Sequence, residues 1–228
     1  MKKIAIVQSN YIPWKGYFDL LSYVDEFVIY DDVQYTRRDW RNRNRIKTPN
    51  GVQWLTIPVK TKGKYYQLIN EAEIDGSDWA QKHWNSLEYS YSRSPFWGDV
   101  SKALKPIYEH PHKQLSANNL ALINFICHYL GIDTTITQST EYFTSGAKSN
   151  RLLNICLAAG ATTYVSGPAA MCYLDESMFK SAGIEVEWFD YHGYPDYPQP
   201  WGAFEHRVTI LDLFFSCGLQ SQNFMRHI

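Results

Sequence analysis

Two short apolar runs constrain this chain more than anything else in it. Residues 3–7 read KIAIV and residues 27–30 read FVIY. Both are too short for a helix and neither alternates with polar residues, which is the pattern of strands buried on both faces of a parallel sheet. Between them, behind Pro13-Trp14-Lys15-Gly16, the apolar positions of 17–23 recur at helical spacing. Parallel neighbours cannot be joined by a tight turn, so one short crossover helix is the connection that fits. A second unit of the same kind is expected late in the chain, with a strand at 162–165, a helix at 173–182 ending at Gly183 and a strand at 185–189. The fold class is therefore α/β, a Rossmann-like parallel sheet, and 228 residues suit a single domain over 1–228.

Two segments stand outside that pattern. Residues 36–64 hold nine of the 22 basic residues and one acid, Asp39. Within them Pro49-Asn50-Gly51 is a turn followed by a strand-like run at 52–59, so a basic β-hairpin excursion is expected. Residues 77–131 form a helical insertion, with helices at 79–91, 100–108 and 115–130, the last stopped by Gly131. A polar strand at 134–138 and helices at 149–159 and 209–217 complete the reading.

Composition excludes several classes. The net charge of −1 gives no whole-molecule attraction to nucleic acid or anionic membrane. No apolar run approaches the ~18 residues of a membrane span, and Met1-Lys2-Lys3 leads straight into a strand rather than an apolar leader, so a cytoplasmic protein without membrane insertion is expected. Cys127, Cys156, Cys172 and Cys217 form no close pair and read as free thiols of a reducing compartment. His110-Pro111-His112 has no third ligand at a metal spacing, so no metal is expected. The aromatic content is the unusual quantity: 17 Tyr and 8 Trp suit a cleft that needs apolar faces with polar tips.

In open α/β sheets ligands bind outside the carboxyl ends of the strands. That rule places Gln8, Asn10, Tyr11, Asp31 and Gln34 near a cleft. The run Trp40-Arg41-Asn42-Arg43-Asn44-Arg45-Ile46-Lys47 combines guanidinium forks with amides and suits phosphates, gripped by Asn42, Arg43, Arg45 and Lys47. Lys148 and Arg151 open a helix and are further phosphate candidates. Trp14, Tyr17, Tyr173 and Tyr197 are candidate walls for a sugar or base, with Gln199 beside the last as a hydrogen-bonding group. The amides of Ser166 and Gly167 are a candidate oxyanion site. Asp31 or His83 is expected to handle a proton, and His206 stands level with His83 as a further acid/base candidate or a satisfied core histidine. The plain alternatives are turn chemistry for Gln8 and Asn10, a solvated charged strand for the Arg run and a satisfied core histidine for His83. No GxGxxG accompanies Asp31 and Asp32, which argues against NAD.

The strings QSNYIPWKGYFDLL, DDVQYTRRDWRNRNRIKT, WLTIPVK, KSNRLL, ATTYVSGPA and YPQPWGAFEHRVTILDLFFSCG together resemble the successive signature blocks of the WbqC-like family, over nearly the whole chain. The resemblance implies a setting among O-antigen and nucleotide-sugar enzymes of surface-polysaccharide biosynthesis, and an acyl or glycyl transfer to the amine of an aminodeoxysugar. A looser resemblance links Pro13, Gly16 and Leu20 to the P-x-H-x-G-H-x-x-L signature of the nucleotidyltransferases, a HUP-like Rossmann fold. Trp14 and Tyr17 flank Gly16 here, and neither signature histidine is present.

The expected function is thus a transferase that binds a nucleotide-linked aminosugar and acylates or aminoacylates its amine. No resident cofactor is identified in the sequence, and a carrier-protein thioester or CoA is the candidate acyl donor. An acyl or peptidyl carrier protein is the expected protein partner, and nucleic acid is not. The alternative is a non-catalytic nucleotide- or carrier-binding protein on a degenerate nucleotidyltransferase fold.

Overall fold

The computed structural model describes residues 1–228. Its first unit is β1 (Lys3–Val7), α1 (Lys15–Tyr23) and β2 (Glu26–Ile29), the two strands parallel with Ile4 opposite Glu26. The basic excursion follows as an antiparallel pair, β3 (Arg43–Thr48) and β4 (Gly51–Thr56), closed at the expected turn. Three helices make the insertion: α2 (Trp79–Tyr91), α3 (Trp97–Glu109) and α4 (Leu115–Leu130). The chain then returns to the sheet through β5 (Thr135–Gln138), α5 (Lys148–Ala158), β6 (Thr163–Ser166), α6 (Glu176–Ser181) and β7 (Glu185–Trp188), and ends on α7 (Ile210–Cys217).

All five strands of the main sheet are parallel, in the order β5-β2-β1-β6-β7. Strand order therefore runs outward from β1 in one direction and resumes at β6 in the other, so β1 and β6 form the topological switch point of a Rossmann-like sheet. Side-chain alternation sorts the two faces. Ala5, Phe27, Ile29 and Val165 join a large core with α1, the helical insertion and α7. Ile4, Ile6, Val28 and Tyr164 join a smaller one with α5 and α6. The edge strands β5 and β7 are four residues each and polar (TITQ, EVEW), which blunts their capacity to pair with another chain.

One late element differs from the sequence reading. Residues 173–182 are not one helix: a 3-10 turn covers Pro168–Cys172, and α6 starts only at Glu176. Asp175 sets that start, because its side chain accepts the Met178 amide as an N-cap. Cys127, Cys156 and Cys217 are buried, whereas Cys172 lies exposed on the 3-10 turn.

Candidate functional site

The segment joining β1 to α1 is held under strain at the switch point. Ile12 has φ +36°, a left-handed conformation that a β-branched side chain resists. Several bonds impose it. Trp40 O accepts the Tyr11 amide at 2.9 Å, and the Asn44 amide donates to Tyr11 O at 3.1 Å and Ile12 O at 2.7 Å. Pro13 O accepts the Ile210 amide at 2.9 Å. Just beyond, Gly16 lies under the Trp14 ring, where a Cβ would meet ring carbons at 2.3–2.8 Å. Glycine at 16 is therefore what lets Trp14 fold back over the start of α1.

A cleft of about 560 Å³ opens on this clamped segment. Asn10, Pro13 and Trp14 supply one side, Trp40 and Asn44 a second, Tyr191–Tyr194 a third, and His206 with Arg207 the rim. Trp14 packs against Tyr191 at 5.5 Å and Tyr194 at 5.7 Å between ring centroids. Gly167, at the end of β6, brings backbone against the Tyr191 ring, about 3.4 Å from where a Cβ would sit. Asn10 Oδ1 is a buried acceptor with no partner within the chain, so it is available to a ligand's donor.

Residues 190–197 form the cleft wall, and α1 and the carboxyl tail fix it. Asp19 accepts the Tyr194 hydroxyl at 2.7 Å and the amides of Arg226 and His227 at 2.9 and 2.8 Å. The Arg226 guanidinium donates to Asp190 O and His192 O at 2.8 and 2.7 Å. Lys15 donates to Pro195 O at 2.9 Å beneath the Tyr194 and Tyr197 rings. Burial pulls the Lys15 ammonium down to about 8, with Asp196 and Asp19 acting the other way.

Two histidines at the cleft are each backed by a carboxylate. His192 Nδ1 is bonded to Asp190 at 2.6 Å, and His206 Nε2 meets Asp196 at 3.3 Å. His206 also rests edge-on against Phe204, with centroids 4.6 Å apart. An imidazole anchored through one nitrogen presents the other for proton transfer. Beside the cleft, Trp40 packs on Trp54 at 5.5 Å. The guanidinium groups of Arg43 and Arg45 lie 4.2 and 5.7 Å from the centre of the Trp54 ring. These two cations share an aromatic backing beside the cleft, and Arg207 is a separate cation that lines it.

The structure gathers only part of the expected set. Asn10 and Trp14 line the cleft, Gly167 lies behind its wall, and Arg43 and Arg45 flank it. Gln8 is bonded by the Arg41 guanidinium, and its carbonyl accepts the Tyr17 hydroxyl at 3.2 Å. Asp31 is buried and accepts from Ser9 N at 2.8 Å, Ser9 Oγ at 2.6 Å and Ser116 Oγ. Those bonds lock β1 to β2 and to the start of α4, so its carboxylate is committed within the chain. His83 is buried 6 % exposed, with Nδ1 bonded to Tyr11 at 2.8 Å, and Tyr11 bonded in turn to Tyr108 at 2.8 Å. Burial pushes its imidazole down to about 4, the Thr56 backbone acting the other way.

The remaining candidates are engaged elsewhere. Asn42 donates to Ile57 O at 2.8 Å, and Lys47 is buried with its ammonium on Ala203 O at 2.6 Å. Arg151 is salt-bridged to Asp32, while Lys148 is exposed at the start of α5 with φ +52°. Tyr197 and Gln199 both donate to Asp212 at 2.7 Å, and Tyr91 holds its other oxygen at 2.7 Å. Burial raises Asp212 despite those donors, so this cluster is an internal pin joining α2, α7 and the loop before it. Tyr173 is 65 % exposed on the α5–α6 side, Ser166 is buried at the end of β6, and Gln34 is exposed and donates to Tyr65 O at 2.9 Å. No three His, Cys, Asp or Glu side chains converge as a metal site requires.

Two further cleft residues, Trp40 and Asn44, belong to the Arg/Asn run but were not among its expected phosphate ligands, whereas Tyr191, His192, Gly193, Tyr194 and Arg207 had no sequence signal beyond the density of Tyr and Pro in the loop after β7.

Sheet order, strained β1–α1 segment and carboxyl-edge cleft define a Rossmann-like α/β protein. The WbqC-like protein family model matches residues 8–224, and the chain belongs to that family. It is 54 % identical over 228 residues to the uncharacterized protein Rv1507c of Mycobacterium tuberculosis strain H37Rv, covering 100 % of this chain and 99 % of that protein. No solved structure matches it significantly. No helix is long and apolar enough to cross a membrane.

Proposed function

We propose that this chain transfers an acyl or aminoacyl group to the amine of a nucleotide-linked aminodeoxysugar in surface-polysaccharide biosynthesis. The observation that carries the reading is the His206–Asp196 pair at the rim of an aromatic cleft that also holds Arg207. Family membership supports the polysaccharide setting. The sugar packs against Trp14, Tyr191 and Tyr194, whose faces suit the apolar side of a pyranose and whose edges keep it oriented. Arg207, with Arg43 and Arg45 on Trp54, holds the diphosphate.

The chemistry is an aminolysis. His206 takes a proton from the sugar ammonium through the nitrogen that Asp196 leaves free. The neutral amine attacks the thioester carbonyl of the donor, forming C–N as C–S breaks. The attacking nitrogen gives its second proton to the departing thiolate and His206 releases the first to solvent, leaving an amide and a free thiol with no cofactor consumed. Anchoring both reactants in one cleft supplies most of the acceleration that a reaction of this kind needs.

Incubation of purified protein with UDP- or dTDP-aminosugars and a small acyl thioester, read by mass spectrometry, tests this. The mass of an N-acylated sugar nucleotide should appear and should fall by about 100-fold in His206→Ala, the range expected for loss of a general base. Tight sugar-nucleotide binding with no product from any donor would replace this reading with a non-catalytic binding protein.

A further inference from the structure

The basic excursion carries more cation than the cleft uses. Its nine basic residues face a single acid within 36–64, in a chain whose net charge is −1. Lys60 and Lys64 share Glu73 at 2.9 and 3.9 Å, and Arg41 and Arg45 pair with Asp39 and Glu205. Arg37, Arg38 and Lys62 are exposed and have no acidic partner. Arg37 lines an open groove of about 1000 Å³ with Tyr35, Lys64, Tyr65, Tyr66 and one acid, Glu71, and Lys62 sits in the chain between the lining residues Thr61 and Gly63. Tyr65 and Tyr66 are 76 % and 82 % exposed, their rings edge to face at 4.9 Å. Arg37 beside two exposed Tyr matches the composition of protein-docking surfaces, and the cations without an acid in this segment, Arg37, Arg38 and Lys62, favour an acidic partner.

This groove lies next to the cleft along the chain. Arg37 lines the groove and Trp40 lines the cleft, with no cis peptide between them. Three residues of trans chain span at most ~11 Å. A group on a flexible arm, seated by its protein on the groove, is therefore within reach of the cleft. A single-stranded nucleic acid fits less well, because rings standing at 88° to each other give consecutive bases no common stacking face.

We infer that the groove docks an acidic carrier protein that delivers the acyl group as a thioester on its pantetheine arm. This rests on the transferase reading above and names its donor. The test is a binding titration of the full chain with an acidic holo acyl carrier protein at low and high ionic strength. Arg37→Glu/Lys62→Glu and Tyr65→Ser/Tyr66→Ser serve as variants, and thermal melts check that they fold. Binding should weaken with salt and fall at least about tenfold in each variant. On the same variants, kcat/KM with the carrier-borne donor should fall about tenfold or more, while a small thioester is used as by the unmodified chain.

Equal carrier affinity in variants and unmodified chain, absence of binding at low salt, or tighter binding of single-stranded oligonucleotide each overturns the inference. The two readings fail separately. Transfer from the small thioester without carrier binding removes the docking proposal alone. Variant-sensitive carrier binding without any transfer removes the transferase reading and leaves docking standing.

Discussion

Acid should unfold this protein partly through His83. The ring is 6 % exposed, and Tyr11, bonded to its Nδ1, is fully buried. An imidazolium there would lose its solvation, and this burial lowers the group to about 4 although the Thr56 backbone acts the other way. The unfolded chain titrates near the ordinary value of 6.5. Above that pH both states are neutral and the histidine contributes nothing to the pH dependence. As pH falls from about 6.5 to about 4, the unfolded state binds a proton that the folded state refuses, so stability is lost across that window. At ~1.4 kcal/mol per unit of pH, the interval corresponds to about 3 kcal/mol. Below it both states are protonated and the effect levels off.

Urea denaturation of the unmodified chain and of His83→Gln, repeated at intervals across that window, isolates this contribution. Glutamine keeps an acceptor for Tyr11 and does not titrate. The variant is less stable at neutral pH, and the gap should close by about 3 kcal/mol by pH ~4. Other groups cancel in the difference, Asp212 included, which acts in the opposite sense because burial raises it and its folded form gains protons as pH falls. Parallel stability curves for the two proteins would refute the argument, as would a His83 ring resonance titrating near 6.5 in the folded state.

Asp212→Ala should destabilise by on the order of 3–5 kcal/mol in chemical denaturation, because the buried hydroxyls of Tyr91 and Tyr197 lose their carboxylate acceptor and Gln199 loses one of its acceptors. Asn44→Leu should melt lower by about 1–3 kcal/mol, since Tyr11 and Ile12 carbonyls lose their donor, and should raise KM for the sugar nucleotide more than it lowers kcat. Lys15 is held below its ordinary value, so its charged form is penalised in the folded state up to pH about 8. Stability should therefore rise between about pH 8 and 10.5, and Lys15→Met should flatten that slope in melts across the range.

Much of this architecture was legible because period decides it. The spans of α2 and α4 coincide with the apolar spacing of 79–91 and 115–130, and KIAIV and FVIY are adjacent parallel strands. The alternation of Arg with Asn in 41–45, which suggested one phosphate grip including Asn42, instead separates two faces: Asn42 and Asn44 are buried while Arg43 and Arg45 lie against Trp54. What alternation could not show is that the inward Asn44 amide clamps the β1–α1 segment. Charge pairing was equally hidden. Arg151 looked like a phosphate ligand until Asp32, 119 positions away, claimed it. The cleft wall at 190–197 is irregular chain fixed by Lys15, Asp19 and the tail residue Arg226, and no local pattern encodes such long-range bonds. His206 differs from the other histidines only through Asp196 and Phe204, neighbours that folding supplies.

The most direct test of the account is a crystal structure of the protein soaked or grown with a UDP- or dTDP-aminosugar. The sugar ring should lie on Trp14 and Tyr191, the diphosphate on Arg207 with Arg43 or Arg45, and the amine within ~3 Å of the free nitrogen of His206. Ligand density at the start of α5 beside Lys148, or in the Tyr65–Tyr66 groove with the cleft empty, would contradict it.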